Sequence, residues 1–153
     1  LPLYAPAETA TAAARQAATP TDVSYGNALR LVGFEIAPAQ ARPGEPLSLA
    51  FFWQPQGDGR PDLYANVRLR NGEGKTVARD EFWPAPNSST SVWDSDTTYV
   101  TRRALPLPPD LKPGAYRVEV SLRLGQLGEA VPALDTAGEE IGTWFRLATL
   151  QVN

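Results

Sequence analysis

A chain of 153 residues has the length of one domain, or of one domain with a tail. Its 14 basic and 17 acidic residues leave a formal charge of −3, which argues against a protein built to grip nucleic acid. The absence of Cys and His excludes disulfides, thiolate or imidazole metal sites and His-based catalytic triads. A hydrophobic share of 42% suffices for a real core, yet the longest apolar run, Leu49 to Trp53, is far too short to span a bilayer. Met is absent too, so the chain reads as a fragment or a processed product. The lack of Cys fits an extracytoplasmic location.

Residues 1–24 form a linker or docking segment. Leu1-Pro2-Leu3-Tyr4-Ala5-Pro6 is held extended by its prolines, and the Ala/Thr-rich run Ala7 to Ala18 has the composition of a short helix that needs tertiary packing to persist. Residues 25–153 change to short runs of period two, the mark of half-buried antiparallel strands. In Ala28–Ala37, Leu29 and Leu31 point one way and Val32, Phe34 and Ile36 the other, so a bulge or a change of sheet is expected beside Gly33. Leu47, Leu49, Phe51 and Trp53 alternate with Ser48, Ala50, Phe52 and Gln54, making Trp53 a core residue. The outer-phase Phe52 is the patch that the N-terminal segment is expected to cover. Leu63 to Arg70 alternates likewise, and Thr76–Trp83 follows it across Asn71-Gly72, a strong hairpin signal.

Thr98–Leu105 is a weaker strand. Tyr116 to Leu124 is the cleanest, with Tyr116, Val118, Val120, Leu122 and Leu124 on one phase. Thr143–Val152 closes the set. Arg42-Pro43-Gly44-Glu45 and Lys112-Pro113-Gly114 suit type II turns, with proline fixing one φ and glycine taking a positive one. About seven to nine short strands joined by such turns predict an all-β, immunoglobulin-like sandwich of two antiparallel sheets. Tyr116, two residues after Gly114, suits a tyrosine corner, whose hydroxyl returns to backbone a few residues upstream.

Candidate chemistry is sparse. Asp94-Ser95-Asp96 offers two hard oxygens, but a calcium site needs six or more, and no metal site is expected. The acids Asp80, Glu81, Asp94, Asp96 and Glu119 fall in solvent-facing strand phases or polar loops, so no catalytic residue and no cofactor is assigned. Glu119 reads as a cross-strand charge partner. The aromatics are the best lead. Trp83, Trp93, Tyr64 and Tyr99 are the candidate ligand-binding residues, because flat aromatic faces stack on the apolar faces of sugar rings; large aromatics also fill sandwich cores, and anchoring of the long polar loop is the more common role for Trp83 and Trp93. Asn87-Ser88-Ser89 matches an N-glycosylation acceptor.

The ordered phrases of the chain also resemble a known family. Tyr25-Gly26-Asn27-Ala28-Leu29-Arg30-Leu31-Val32-Gly33-Phe34-Glu35-Ile36, then Arg42-Pro43-Gly44-Glu45-Pro46-Leu47-Ser48-Leu49, Phe52-Trp53-Gln54 and Ala104-Leu105-Pro106-Leu107-Pro108-Pro109-Asp110-Leu111-Lys112-Pro113-Gly114-Ala115-Tyr116-Arg117-Val118-Glu119-Val120 are similar to the soluble β-sandwich of certain bacterial membrane glycosyltransferases. These are of the dolichyl-phosphate-mannose–protein mannosyltransferase kind. Leu3-Tyr4-Ala5-Pro6 resembles the segment leaving the last membrane helix. Departures are Asp94-Ser95-Asp96, where the family has a Pro-Gly turn after Trp93, and an irregular acidic stretch at Gly125–Glu140. The family's catalytic residues belong to its membrane portion, and none maps onto this chain. The resemblance implies a non-catalytic, extracytoplasmic accessory domain, tethered to the membrane portion of the same chain, with a glycan or an envelope protein as partner. The other reading is a carbohydrate-binding module with exposed Trp and Tyr residues.

Overall fold

The computed structural model describes residues 7–84 and 89–153. Leu3 to Pro6 and the Asn87-Ser88 part of the glycosylation motif lie outside the described residues. One short helix, α1 (Ala12–Ala17), precedes ten strands: β1 (Thr19–Tyr25), β2 (Leu29–Ala37), β3 (Gln40–Ala41), β4 (Pro46–Pro55), β5 (Leu63–Arg70), β6 (Thr76–Phe82), β7 (Tyr99–Pro106), β8 (Gly114–Leu124), β9 (Ala133–Leu134) and β10 (Phe145–Val152). They form two five-stranded sheets, ordered β7-β4-β2-β1-β9 and β3-β10-β8-β5-β6. All pairings are antiparallel except β10 with β3. The chain is an all-β, immunoglobulin-like sandwich.

The core lies between the sheets. Leu47, Leu49, Phe51 and Trp53 of β4 meet Leu63, Ala65, Val67 and Leu69 of β5 and Val118, Val120 and Leu122 of β8. Trp53 stacks on Phe51 with centroids 5.8 Å apart and meets Tyr25 edge-on at 6.3 Å. Its indole donates to the Thr101 hydroxyl (3.0 Å), which donates in turn to the Pro84 carbonyl (2.6 Å), so the buried N–H is satisfied. Tyr25 sends its hydroxyl across from β1 to the Val120 carbonyl of the other sheet, at 2.9 Å.

The bulge beside Gly33 corrects the phase expected for β2. Leu31 faces Trp53 and Gly33 faces Phe52, so Val32 is the extra residue. Beyond it the register places Phe34 opposite Phe51 and Ile36 opposite Leu49, on the inward face with Leu29 and Leu31. Of the three residues expected on the outer phase, only Val32 stays there.

That outer face is covered. Phe52, Val32, Ala50 and Val100 pack against Ala10, Ala14 and Ala18. Thr11 caps α1 by accepting from the Ala14 amide (3.0 Å), and the alanines bring the helix close to the sheet. Ala10 donates to the Thr98 carbonyl, and Val100 to the Glu8 carbonyl, which seals the β7 edge. The strand set begins at Thr19, six residues ahead of the expected start at Tyr25. A one-residue bulge at Thr21-Asp22, between Pro20 and Val23, hides the alternation of β1 in the sequence. The two-residue strands β3 and β9 are too short to show any period.

At Arg42–Glu45 the expected type II turn is present, with Glu45 donating to the Arg42 carbonyl and Gly44 at φ 79°. Pro113-Gly114 differs: Gly114 takes φ 146°, a glycine conformation outside type II geometry, and leads straight into β8. Two residues on, Tyr116 is buried and its hydroxyl donates to the Lys112 carbonyl at 2.6 Å, which is the geometry of a tyrosine corner. Tyr116→Phe should therefore cost about 1–2 kcal/mol, and Tyr116→Ala about 3–5 kcal/mol through the added cavity. Urea unfolding checks this; a phenylalanine variant as stable as the parent would mean that the hydroxyl contributes nothing to the turn.

Candidate functional site

The outward phase of the second sheet collects the polar and aromatic side chains that the core leaves over. On β5 these are Tyr64, Asn66, Arg68 and Arg70. On β8, Arg123 lies opposite Tyr64, Ser121 opposite Asn66, Glu119 opposite Arg68 and Arg117 opposite Arg70. On β6, Glu81 lies opposite Asn66 and Arg79 opposite Arg68, and Trp83 follows directly at the strand end. Arg146 of β10 lies opposite Glu119, with Trp144 just before the strand begins.

Two aromatic-basic clusters result. In the first, Trp83 is partly exposed and meets Tyr64 edge-on, with centroids 4.8 Å apart. The Arg123 guanidinium sits 5.7 Å from the Tyr64 ring, and its Nη2 reaches Glu81 at 3.3 Å. The buried Nε–H of Arg123 has no acceptor among the described residues. In the second cluster, Arg68 lies 3.8 Å over the centre of the Trp144 ring and donates through Nε to Glu119 at 2.8 Å. Arg70 approaches the same carboxylate at 3.6 Å and also donates to the Gly74 carbonyl. Glu119 is thus a cross-strand charge partner, but of Arg68 and Arg70 on β5.

The four candidate aromatics separate. Tyr64 is only 7% exposed and props Trp83 from beneath, so Trp83 carries the open surface of that cluster. Trp93 and Tyr99 are corrected: they are interior residues, 4% and 9% exposed, stacked on each other at 4.2 Å with planes 10° apart. Neither ring has a free face for a ligand. Tyr99 lies opposite Trp53 on the inward side of β7, and its hydroxyl accepts from the Asp94 amide at 2.8 Å. The Trp93 loop is pinned by Arg60, a buried guanidinium that donates to the carbonyls of Gly57, Thr90 and Trp93. Sequence reading missed Arg60, since nothing in Gly59-Arg60-Pro61 distinguishes it from a surface arginine.

Asp80 is a further correction. It shares the inward phase of Ala78 and Phe82, and at the sandwich edge it pairs with Arg103 of the opposite sheet through two bonds of 2.8 and 3.1 Å. Arg103 also lies over the Phe82 ring, closing the gap between β6 and β7. Asp94 accepts from the Asp96 amide and so caps its own turn. Among the described residues no group of three or more acidic side chains could hold a metal ion, and no helix is long and apolar enough to cross a membrane.

Fold and face together define a β-sandwich whose one sheet is covered by its own N-terminal segment and whose other presents arginines and two indoles. No family model matches the chain, and no curated protein sequence matches it. Among solved structures, the C-terminal domain of wzt is similar with a TM-score of 0.62 and 12% identity, over 89% of this chain and 80% of that one. At that identity the likeness bears on the fold alone.

Proposed function

We propose that this domain is a non-catalytic glycan-binding domain, and that the outward face of the second sheet is its binding surface. The observation that carries the reading is the pair of indoles, Trp83 and Trp144, set on one sheet face among arginine, asparagine and carboxylate groups. Indoles offer flat apolar area to sugar rings, and the polar groups offer the hydrogen bonds that fix orientation. On the opposite sheet, α1 and its flanks cover Val32, Ala50, Phe52 and Val100, and among the described residues no indole stands on that outer face. The absence of catalysis is supported by the carboxylates: Asp80, Glu81 and Glu119 are each engaged by arginine, an arrangement that suits structural charge pairs better than a general acid. The sequence phrases shared with membrane glycosyltransferase sandwiches support a wider setting: an extracytoplasmic accessory domain, tethered to the membrane portion of a longer protein, which holds a glycan or an envelope protein near that enzyme.

Titration against a panel of neutral and acidic bacterial polysaccharides should find at least one glycan ligand. Trp83→Ala should weaken that binding about tenfold or more, the usual effect of removing a central aromatic contact, while the urea midpoint changes little. No binding across the panel, or undiminished binding by the alanine variant, would reject the surface.

A further inference from the structure

The face is far more basic than the chain. Six arginines and two glutamates share it, although the whole protein carries a formal charge of −3. The register sets like charges directly opposite one another, Arg68 against Arg79 and Arg70 against Arg117. Such pairs are destabilising in a free sheet and serve no purpose in packing. The two glutamates are already engaged, by Arg68, Arg70, Arg79 and Arg123. Among the described residues, Arg117 and Arg146 make no ion pair and the buried Nε–H of Arg123 has no acceptor. The surplus positive charge runs along the face: Arg123 beside the open Trp83 cluster, Arg146 two residues from Trp144, and Arg117 farther along β8.

We infer that the ligand is an anionic glycan, a polysaccharide bearing carboxylate or phosphate groups, with Arg117, Arg123 and Arg146 pairing its acidic groups while Trp83 receives a sugar ring. Guanidinium forks match both oxyanions, so uronate and phosphate share this chemistry. The inference rests on the glycan-binding reading and sharpens it.

The probes are polygalacturonate, its fully methyl-esterified form, a glycerol-phosphate polymer and double-stranded DNA. An acidic polymer should bind at least about tenfold more tightly than the neutral ester, and the binding should weaken steeply between about 50 and about 200 mM salt. Preference for the uronate or the phosphate polymer identifies which oxyanion is read. Arg117→Gln with Arg146→Gln should weaken binding about tenfold yet leave the urea midpoint unchanged or slightly raised, since a like-charge pair is relieved. Arg42→Gln, in a turn away from the face, should have no effect. Equal binding of the ester, or no effect of the double variant, would overturn the inference while leaving glycan binding intact. DNA bound as tightly as the glycans and independently of Trp83 would also overturn it, as plain polyanion adhesion. Failure of every glycan, neutral ones included, would remove the underlying reading as well.

Discussion

Trp53→Ala should destabilise the domain by about 3–5 kcal/mol, a large part of the 5–15 kcal/mol typical of a whole domain. The ring is fully buried between the sheets, and its loss opens a cavity against Phe51 and Tyr25, which the register holds in place. The change also leaves Thr101 without its indole donor, although that hydroxyl keeps the Pro84 carbonyl. Trp53→Phe separates the two effects. It retains much of the stacking but gives up the Nε1–H bond and part of the ring volume, and should cost less than the alanine change, about 1–3 kcal/mol. Urea unfolding of both variants checks the ranking. An alanine variant within about 0.5 kcal/mol of the parent, the range of a surface substitution, would contradict the packing described for β4.

Tyr25 should give the second large effect, about 3–5 kcal/mol for Tyr25→Ala and about 1–3 kcal/mol for Tyr25→Phe. The phenylalanine variant leaves the Val120 carbonyl without the one hydroxyl that reaches it from the facing sheet. Burial also pushes the Tyr25 phenol well above its ordinary value, because the phenolate would have to form in the core. The folded state therefore retains a proton that the unfolded chain releases near pH 10. Tyr25 stabilises the fold fully below that pH, and above about pH 10 each further unit removes up to about 1.4 kcal/mol. Tyr25→Phe should lose that part of the alkaline sensitivity. Identical alkaline unfolding of parent and variant would show that the phenol is not locked in the core.

The seven strands with clean or weak alternation, β2, β4, β5, β6, β7, β8 and β10, were legible because burial on one face writes a period of two into the sequence. β1 was not, since its bulge and Thr-Pro-Thr opening break that period, and β3 and β9 hold only two residues each. The inward position of Tyr99 had a usable signal: it shares its phase with Thr101 and Leu105 on β7. Asp80 had one as well, two residues before Phe82. The polarity of Asp80 outweighs its phase in a sequence reading, and the aromatic character of Tyr99 suits a binding platform as well as a core. The basic face was hidden for another reason. Its arginines lie on β5, β6, β8 and β10, far apart in sequence, and alternation says which side of a strand faces water but not which strands are neighbours. Net charge concealed it further, because acidic loops outweigh the face in the sum.

The most direct test of the binding surface uses the four tryptophans as reporters. Trp83 and Trp144 lie on the outward face of the second sheet, while Trp53 and Trp93 are buried elsewhere. The indole N–H signals of ¹⁵N-labelled protein, followed by NMR during titration with an acidic polysaccharide, should show Trp83 shifting most and Trp144 with it. Trp53 and Trp93 should stay in place. A saturable titration in which Trp83 and Trp144 do not move would contradict the assignment of the ligand to this face.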